Sequence, residues 1–200
     1  MQVCESDTAI RGEARAFEKA LPLAQRKELG QFFTGMPLGR ILAHLAVKSE
    51  TKNILDPMAG SGDLVDAARE AAITHGVMLG RLDAIEIDEA TASMCERRLR
   101  SVCQSQVSAL NVICGNAFTP DTFESILDCG YDLVISNPPY VRHQLLNGRG
   151  EQVRRGLSVL LERRLSGSSK RVWKALSDGY SGLSDLSIPA WLLSALLVRP

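Results

Sequence analysis

Four short apolar runs recur along the 200-residue chain, each meeting a polar residue and then a segment of helical periodicity. They are Asn53–Asp56, Leu82–Asp88, Leu110–Phe118 and Asp132–Ser136. Between them, Leu64, Val65, Ala67, Ala68, Ala71 and Ala72 recur at the spacing of one helix face. So do Ala90, Met94, Arg97, Arg98 and Leu99, and then Phe123, Ile126 and Leu127, with Gly76 and Gly130 as stops. Strand and helix alternating through short connections imply a doubly wound α/β fold, a mostly parallel sheet with helices on both faces. Ligands in such sheets bind beyond the carboxyl ends of the strands. Asp56, Glu86, Asn116 and Asn137 all fall at those ends.

The first and last of these ends carry the clearest chemistry. After Asn53–Asp56 comes Pro57-Met58-Ala59-Gly60-Ser61-Gly62-Asp63, a small-residue turn that opens a helix. Gly60 and Gly62 let backbone approach a ligand, and the helix start offers free N–H groups. The third glycine of a dinucleotide fingerprint is missing, and Asp56 would repel a pyrophosphate while attracting an ammonium group. Glu86 stands where a nucleoside-binding fold bonds ribose hydroxyls, although such an acid is often only a cap. Asp88 can cap the helix that follows. The last strand runs into Ser136-Asn137-Pro138-Pro139-Tyr140. The prolines stiffen the exit and donate no N–H. The Asn137 side-chain carbonyl, the neighbouring backbone carbonyls and the Tyr140 ring suit a planar heterocycle with an exocyclic amino group. The plainer alternative is a rigid strand exit with its tyrosine in the core.

Outside these units the chain is less specific. Ala14–Leu29, interrupted by Pro22, reads as one or two short helices. Gly30-Gln31-Phe32-Phe33-Thr34-Gly35 reads either as a loop laid against a ligand or as an apolar plug. Pro37 starts a helix whose periodic residues are Leu38, Ile41, Leu42 and Leu45. From Val141 to Lys174 nine Lys or Arg face two acids, Glu151 and Glu162, in a chain of zero formal net charge. That local excess fits phosphate contact or an ordinary solvated helix face. Ser166–Ser169 reads as a flexible break, and His143 as a polar loop residue rather than a base. Ser184–Leu193 reads as a capped helix start with Pro189 in its first turn, and the chain ends inside that helix. The cysteines, Cys4, Cys95, Cys103, Cys114 and Cys129, have no zinc spacing and suggest reduced, mostly buried thiols in a cytoplasmic protein. No signal pattern opens the chain, and its longest apolar stretch is too short to span a membrane.

Taken together, residues 27–193 resemble the S-adenosylmethionine-dependent DNA adenine-N6 methyltransferases with Asn-Pro-Pro-Tyr, in the motif order of type I and type IIG restriction systems. Gly30–Thr34, Asp56–Gly62, Ile85–Asp88, Gly115–Phe118 and Asn137–Tyr140 carry the resemblance, with Tyr180-Ser181-Gly182 and Asp185-Leu186 after them. It implies a Rossmann-like class I methyltransferase fold, S-adenosylmethionine as cofactor, no metal, and a DNA adenine flipped out of the duplex. It implies Asn137, Pro138 and Tyr140 as catalytic residues, the first two accepting the N6 protons and the third stacking on the base. It implies a cofactor site of Phe33, Thr34, Asp56, Ala59, Gly60, Gly62, Glu86, Ile87, Asn116, Ala117 and Asn137. Asp56 would lie near the methionine part and Glu86 at the ribose.

The chain departs from the family where Gly35-Met36-Pro37 follows the threonine and where Asn116 replaces a common aspartate. Four strands are legible where the family has seven, so the chain is expected to be the amino-terminal part of a longer catalytic domain. The expected divisions are a helical region (1–52), the cofactor-binding core (53–140), a basic insertion (141–182) and the start of a further helix (183–200). A specificity or nuclease partner is a possibility the family raises. Methylation of RNA adenine or protein glutamine, or an inactive fragment, are the alternatives.

Overall fold

The computed structural model describes residues 5–23, 34–103, 106–139, 149–178 and 186–199. Its sheet is β1 (Asn53–Asp56), β2 (Leu79–Glu86), β3 (Val107–Cys114) and β4 (Leu133–Val134), parallel throughout, in the order β3-β2-β1-β4. Helices α1 (Glu5–Ala20) and α2 (Met36–Ala46) precede it, and α3 (Asp63–Thr74) and α4 (Glu89–Cys103) make the first crossovers. A short α5 (Pro120–Glu124) and a 3-10 turn (Leu127–Cys129) lead to β4, and α6 (Arg149–Arg164), α7 (Gly167–Asp178) and α8 (Ser187–Leu197) follow. The chain lays strands outward from β1 to β3, then returns to β1's other side. That reversal opens a crevice between the carboxyl ends of β1 and β4.

Successive strand residues face opposite sides, which divides the core in two. Ile54, Leu82 and Ala84 pack with α2, α3 and α4; Leu55 and Ile85 pack with Phe118, Phe123, α6 and α8. On the first side Asp66 bonds Arg11 at 2.8 Å, Arg69 at 2.8 Å and Arg98 at 3.1 Å. Glu70 takes Arg11 at 2.6 Å and Arg40 at 2.7 Å, so α1 is tied to α3 by charge. On the second side Asp83 accepts from Tyr131 Oη, from Arg81 at 3.0 Å and from Asn111 at 3.0 Å. At the sheet's lower end Asp132 Oδ2 accepts the Lys52 and Asn53 amides at 2.7 and 2.8 Å. Asn53 Nδ2 answers by donating to the Cys129 and Gly130 carbonyls, both at 3.0 Å.

Several expectations are corrected. Leu38, Ile41, Leu42 and Leu45 point outward, and α2 packs instead through Met36, Gly39 and Ala43. A Cβ on Gly39 would stand 3.4 Å from Ala67 Cβ, so the helices meet through small residues, too closely for the leucine face. The amino-terminal helix begins earlier than expected, at Glu5, and stops at Ala20 before Pro22. Ser166–Ser169 is not a break throughout: α7 starts at Gly167, φ 59°. The last helix ends at Leu197; Val198 is extended and pairs in parallel with Tyr131, whose carbonyl accepts the Arg199 amide at 2.9 Å. Cys95 and Cys103 are buried, but Cys114 is exposed because β3 is the sheet's edge. No helix among the described residues is long and apolar enough to cross a membrane, and none of their His, Cys, Asp and Glu groups could hold a metal ion.

Candidate functional site

The crevice between β1 and β4 is an open cleft lined by Thr34, Asp56, Met58, Ala59, Ser61, Asp63, Leu64 and Asn137. β1 delivers Asp56 to its floor, and the chain then turns under its own side chain. Met58 N–H donates to Asp56 Oδ1 at 3.0 Å, and Gly62 N–H to the Ala59 carbonyl at 2.9 Å. Gly60 and Gly62 both take left-handed φ, 54° and 88°. A side chain at Gly62 would also press on Cys95 Sγ at 3.0 Å. The turn is therefore built for glycine twice over, by conformation and by room.

Glu86 at the end of β2 holds that turn. Its Oε2 accepts the Gly60 amide at 2.9 Å and its Oε1 the Asp88 amide at 3.0 Å. Asp88 caps α4 by accepting the Thr91 amide at 2.9 Å. Asn116 uses Oδ1 to accept the Phe118 amide at 3.0 Å, which shapes the turn after β3. Ala117 is buried in the core beside Phe118 and Ile87 is largely exposed; neither lines the cleft. Phe33 and Tyr140 lie outside the described residues, as do His143 and Tyr180–Asp185.

On the opposite wall β4 continues one bond further, Ile135 N–H to the Leu55 carbonyl at 2.9 Å, and then gives way to Ser136-Asn137-Pro138-Pro139. Asn137 Nδ2 donates to Thr34 Oγ1 at 3.0 Å. Thr34 sits one residue before Gly35, the N-cap of α2, with φ 73°. The Gly35 amide is held by Asp63 Oδ2 at 2.9 Å, and Asp63 Oδ1 accepts from Arg98 at 2.7 Å. Thus Thr34, Asp56, Ala59 and Asn137 share one cleft, with Gly60, Gly62 and Glu86 behind its floor.

The cleft is acidic. Asp56 is 1 % exposed and has no ion-pair partner among the described residues. Burial pushes its carboxyl up to about 7, the Met58 amide and the Ser136 hydroxyl oppose the shift, and the Glu86 charge adds to it. Ser136 Oγ is itself buried beside Asp56 and short of a well-formed hydrogen bond. Ser61 Oγ donates to Glu18, whose carboxyl is also raised by burial. Sequence reasoning missed Glu18, Ser61 and Asp63. Asp63 was visible as the first acid of a helix, but its partner Gly35 lies 28 residues away.

The basic segment is partly committed to structure. Arg164 caps α8 by donating to the Leu196 and Val198 carbonyls at 2.9 and 3.2 Å. Arg163 pairs with Glu124 at 2.6 Å, and Lys170 pairs with Glu162. Arg154, Arg155, Arg171 and Lys174 are exposed and have no ion pair among the described residues.

The family described as N-6 DNA methylase matches residues 17–155. The type II methyltransferase M.CvrRI of Paramecium bursaria Chlorella virus XZ-6E is 27% identical over 124 residues, 62% of this chain. The matched stretch spans 28% of that relative's length. Among solved structures, a Listeria monocytogenes protein described as a class I S-adenosylmethionine-dependent methyltransferase superposes with a TM-score of 0.55 at 16% identity. The match covers 76% of this chain and 42% of that one.

Proposed function

The chain belongs to the N-6 DNA methylase family, and on that basis we propose that it methylates the N6 amino group of adenine in DNA. Its fold is the Rossmann-like class I methyltransferase fold, and its cofactor is S-adenosylmethionine. The observation that carries the reading is the pairing, across one cleft, of the buried acid Asp56 with the Asn137 amide.

The cleft's residues fit that cofactor. A buried carboxylate without an ion pair suits a positively charged ligand, and Asp63 and Glu18 lie close by. The glycine turn gives backbone access, Glu86 at the end of β2 would bond the ribose hydroxyls, and Thr34 borders the cleft. When bound, S-adenosylmethionine supplies an electrophilic methyl group on a positively charged sulfur.

The adenine side is the work of the strand exit. N6 is a weak nucleophile because its lone pair is delocalised into the ring. Asn137 Oδ1 and the Pro138 carbonyl each accept one N6 proton, which localises the lone pair and spreads developing positive charge. The exit contributes no strong base, and the displaced proton can leave to solvent. Tyr140 stacks on the flipped base, worth about 1–3 kcal/mol. The exposed Arg154, Arg155, Arg171 and Lys174 favour a polyanionic substrate over a protein one. A specificity or nuclease partner acting with the chain in the cytoplasm belongs to the same reading.

The test has two parts. Titration calorimetry should detect S-adenosylmethionine binding in the unaltered chain and in Asn137→Ala. Methyl transfer to adenine-containing DNA should be seen in the first and fall by at least about a hundredfold in the second. Transfer to RNA or to a glutamine peptide in preference to DNA would reject the substrate assignment.

A further inference from the structure

We propose that α6, α7 and the start of α8 form a nucleic-acid contact face, on which Trp191 stacks on an unpaired base while Arg154, Arg155, Arg171 and Lys174 meet the phosphates of the same strand. The inference deepens the reading of DNA as substrate and rests on it. An aromatic plane cannot reach the base faces inside a closed duplex. An adenine that enters the cleft has left the duplex, and its partner stays behind unpaired. A free aromatic ring beside a positively charged surface is what a single strand selects, because every base has a face to stack and every nucleotide a charge to neutralise.

The packing brings ring and charges to one side of the sheet. Arg164, at the end of α6, donates to the Leu196 and Val198 carbonyls at the end of α8, and Val198 pairs with Tyr131 just before β4. Both helices therefore finish at the sheet's amino edge, and their first turns lie toward the carboxyl edge, where the cleft opens. Gly156 faces the Phe118 carbonyl in the turn after β3, which fixes Arg154 and Arg155 near that edge. α7 sets out from the far end of α6 and returns, and its Trp173 stacks on Trp191 with ring centroids 6.1 Å apart and 24° between the planes. Trp191 stands six residues before Leu197, about 9 Å back along α8. Trp173 packs on the core, and Leu192 and Leu193 are buried, yet Trp191 is 62 % exposed. An indole with one stacking partner and that much free surface is poorly used as a core residue and well suited to a contact. The four cations are exposed and have no ion pair among the described residues. The acids of α6 and α7 are Glu151, Glu162 and Asp178, and Glu162 is already taken by Lys170.

Both tryptophans of the chain belong to this pair, so intrinsic fluorescence reads the face directly. The probe is an oligothymidine strand, which carries no adenine for the cleft. It should bind the unaltered chain and quench the tryptophan emission. By anisotropy of the labelled strand, Trp191→Ala should weaken binding about tenfold, and leave binding of a blunt guanine–cytosine duplex within about twofold. Trp191→Phe keeps a ring and should retain most of the affinity, which separates stacking from any loss of packing against Trp173. Replacing Arg154, Arg155, Arg171 or Lys174 singly by Gln should lower the slope of log affinity against log salt by about 0.7 each. Arg100→Gln, on α4 against the sheet's other side, should leave that slope unchanged. Unquenched emission at saturating strand, equal losses in Trp191→Ala and Trp191→Phe, full affinity in Trp191→Ala, or an unmoved slope in the four Gln variants would overturn the proposal. Strand binding as described without methyl transfer to adenine-containing DNA would count against the proposed function and not against this face. Methyl transfer with the strand unbound would overturn the face alone.

Discussion

Gly60 N–H lies 2.9 Å from Glu86 Oε2, so the turn after β1 is hung from the end of β2. The same carboxylate accepts the Asp88 amide at 3.0 Å through its other oxygen. An acid expected to serve a ligand also braces the loop that would hold it. Glu86→Ala leaves both amides without that acceptor and should cost about 2–4 kcal/mol in denaturant unfolding. S-adenosylmethionine binding should weaken more than the stability loss alone explains. Glu86→Gln keeps one carbonyl oxygen and should fall between the two.

If Asp56 meets the cofactor as proposed, binding should depend on pH. Its carboxyl, raised by burial, titrates at about 7 against an ordinary 3.8. Affinity for the positively charged cofactor should rise with pH up to about 7 and level off above it. Calorimetry near neutral pH in buffers of different ionisation enthalpy should show proton release on binding. Asp56→Asn should abolish the pH dependence and weaken binding by about tenfold or more.

The same group has the opposite effect on stability. Its folded pKa lies above its unfolded one, so the native state binds more protons between about pH 4 and 7. Its contribution should therefore fall as pH rises through that window. Above pH 7 the penalty is at most on the order of 4 kcal/mol. Asp56→Asn should be the more stable protein at pH 8 by roughly 2–4 kcal/mol, measured by urea titration, and should lose most of that advantage near pH 4.

Asp66 behaves in reverse. Burial alone would raise its carboxyl, but the Arg11 hydrogen bond and the Arg98, Arg69 and Arg11 charges hold it near 2. Its stabilisation is present above about pH 4 and is lost as pH falls towards 2. Asp66→Asn leaves three guanidinium groups facing a neutral amide and should cost about 3–5 kcal/mol in thermal unfolding at neutral pH.

Gly156 in α6 faces the Phe118 carbonyl so closely that an added Cβ would collide with it. Gly156→Ala should push α6 from the sheet and cost about 1–3 kcal/mol. Gly76→Ala meets no neighbour within 4 Å and serves as a control for backbone strain alone, since Gly76 has φ 69°. Melting curves of the two variants separate packing from conformation.

The strand ends were legible because a polar residue closing an apolar run has few other meanings. The sequence alone puts Asp56, Glu86 and Asn137 at one edge of one sheet, and that edge holds the cleft. What stayed hidden depends on partners far away in the chain. Nothing local joins Thr34 to Asn137, or Glu18 to Ser61. At α2, periodicity reports an apolar stripe without saying what can approach it. Gly39 and Ala43 on the other side allow closer contact with Ala67 than leucines would. Ala117 followed a motif, while its burial among the residues under α6 depends on how the turn after β3 folds back.

β4 has only two residues, too few for its own ladder to set its register against β1. The crossed bonds of Asp132 with the Lys52 and Asn53 amides, and of Asn53 with the Cys129 and Gly130 carbonyls, set it from below. Asn137 lies five residues on from Asp132, about 17 Å of extended chain. Asp132 therefore acts as the fulcrum of a lever whose tip is the Asn137 amide. A small slip there is magnified where alignment matters, so a protein with every cleft residue intact could still lose its aim.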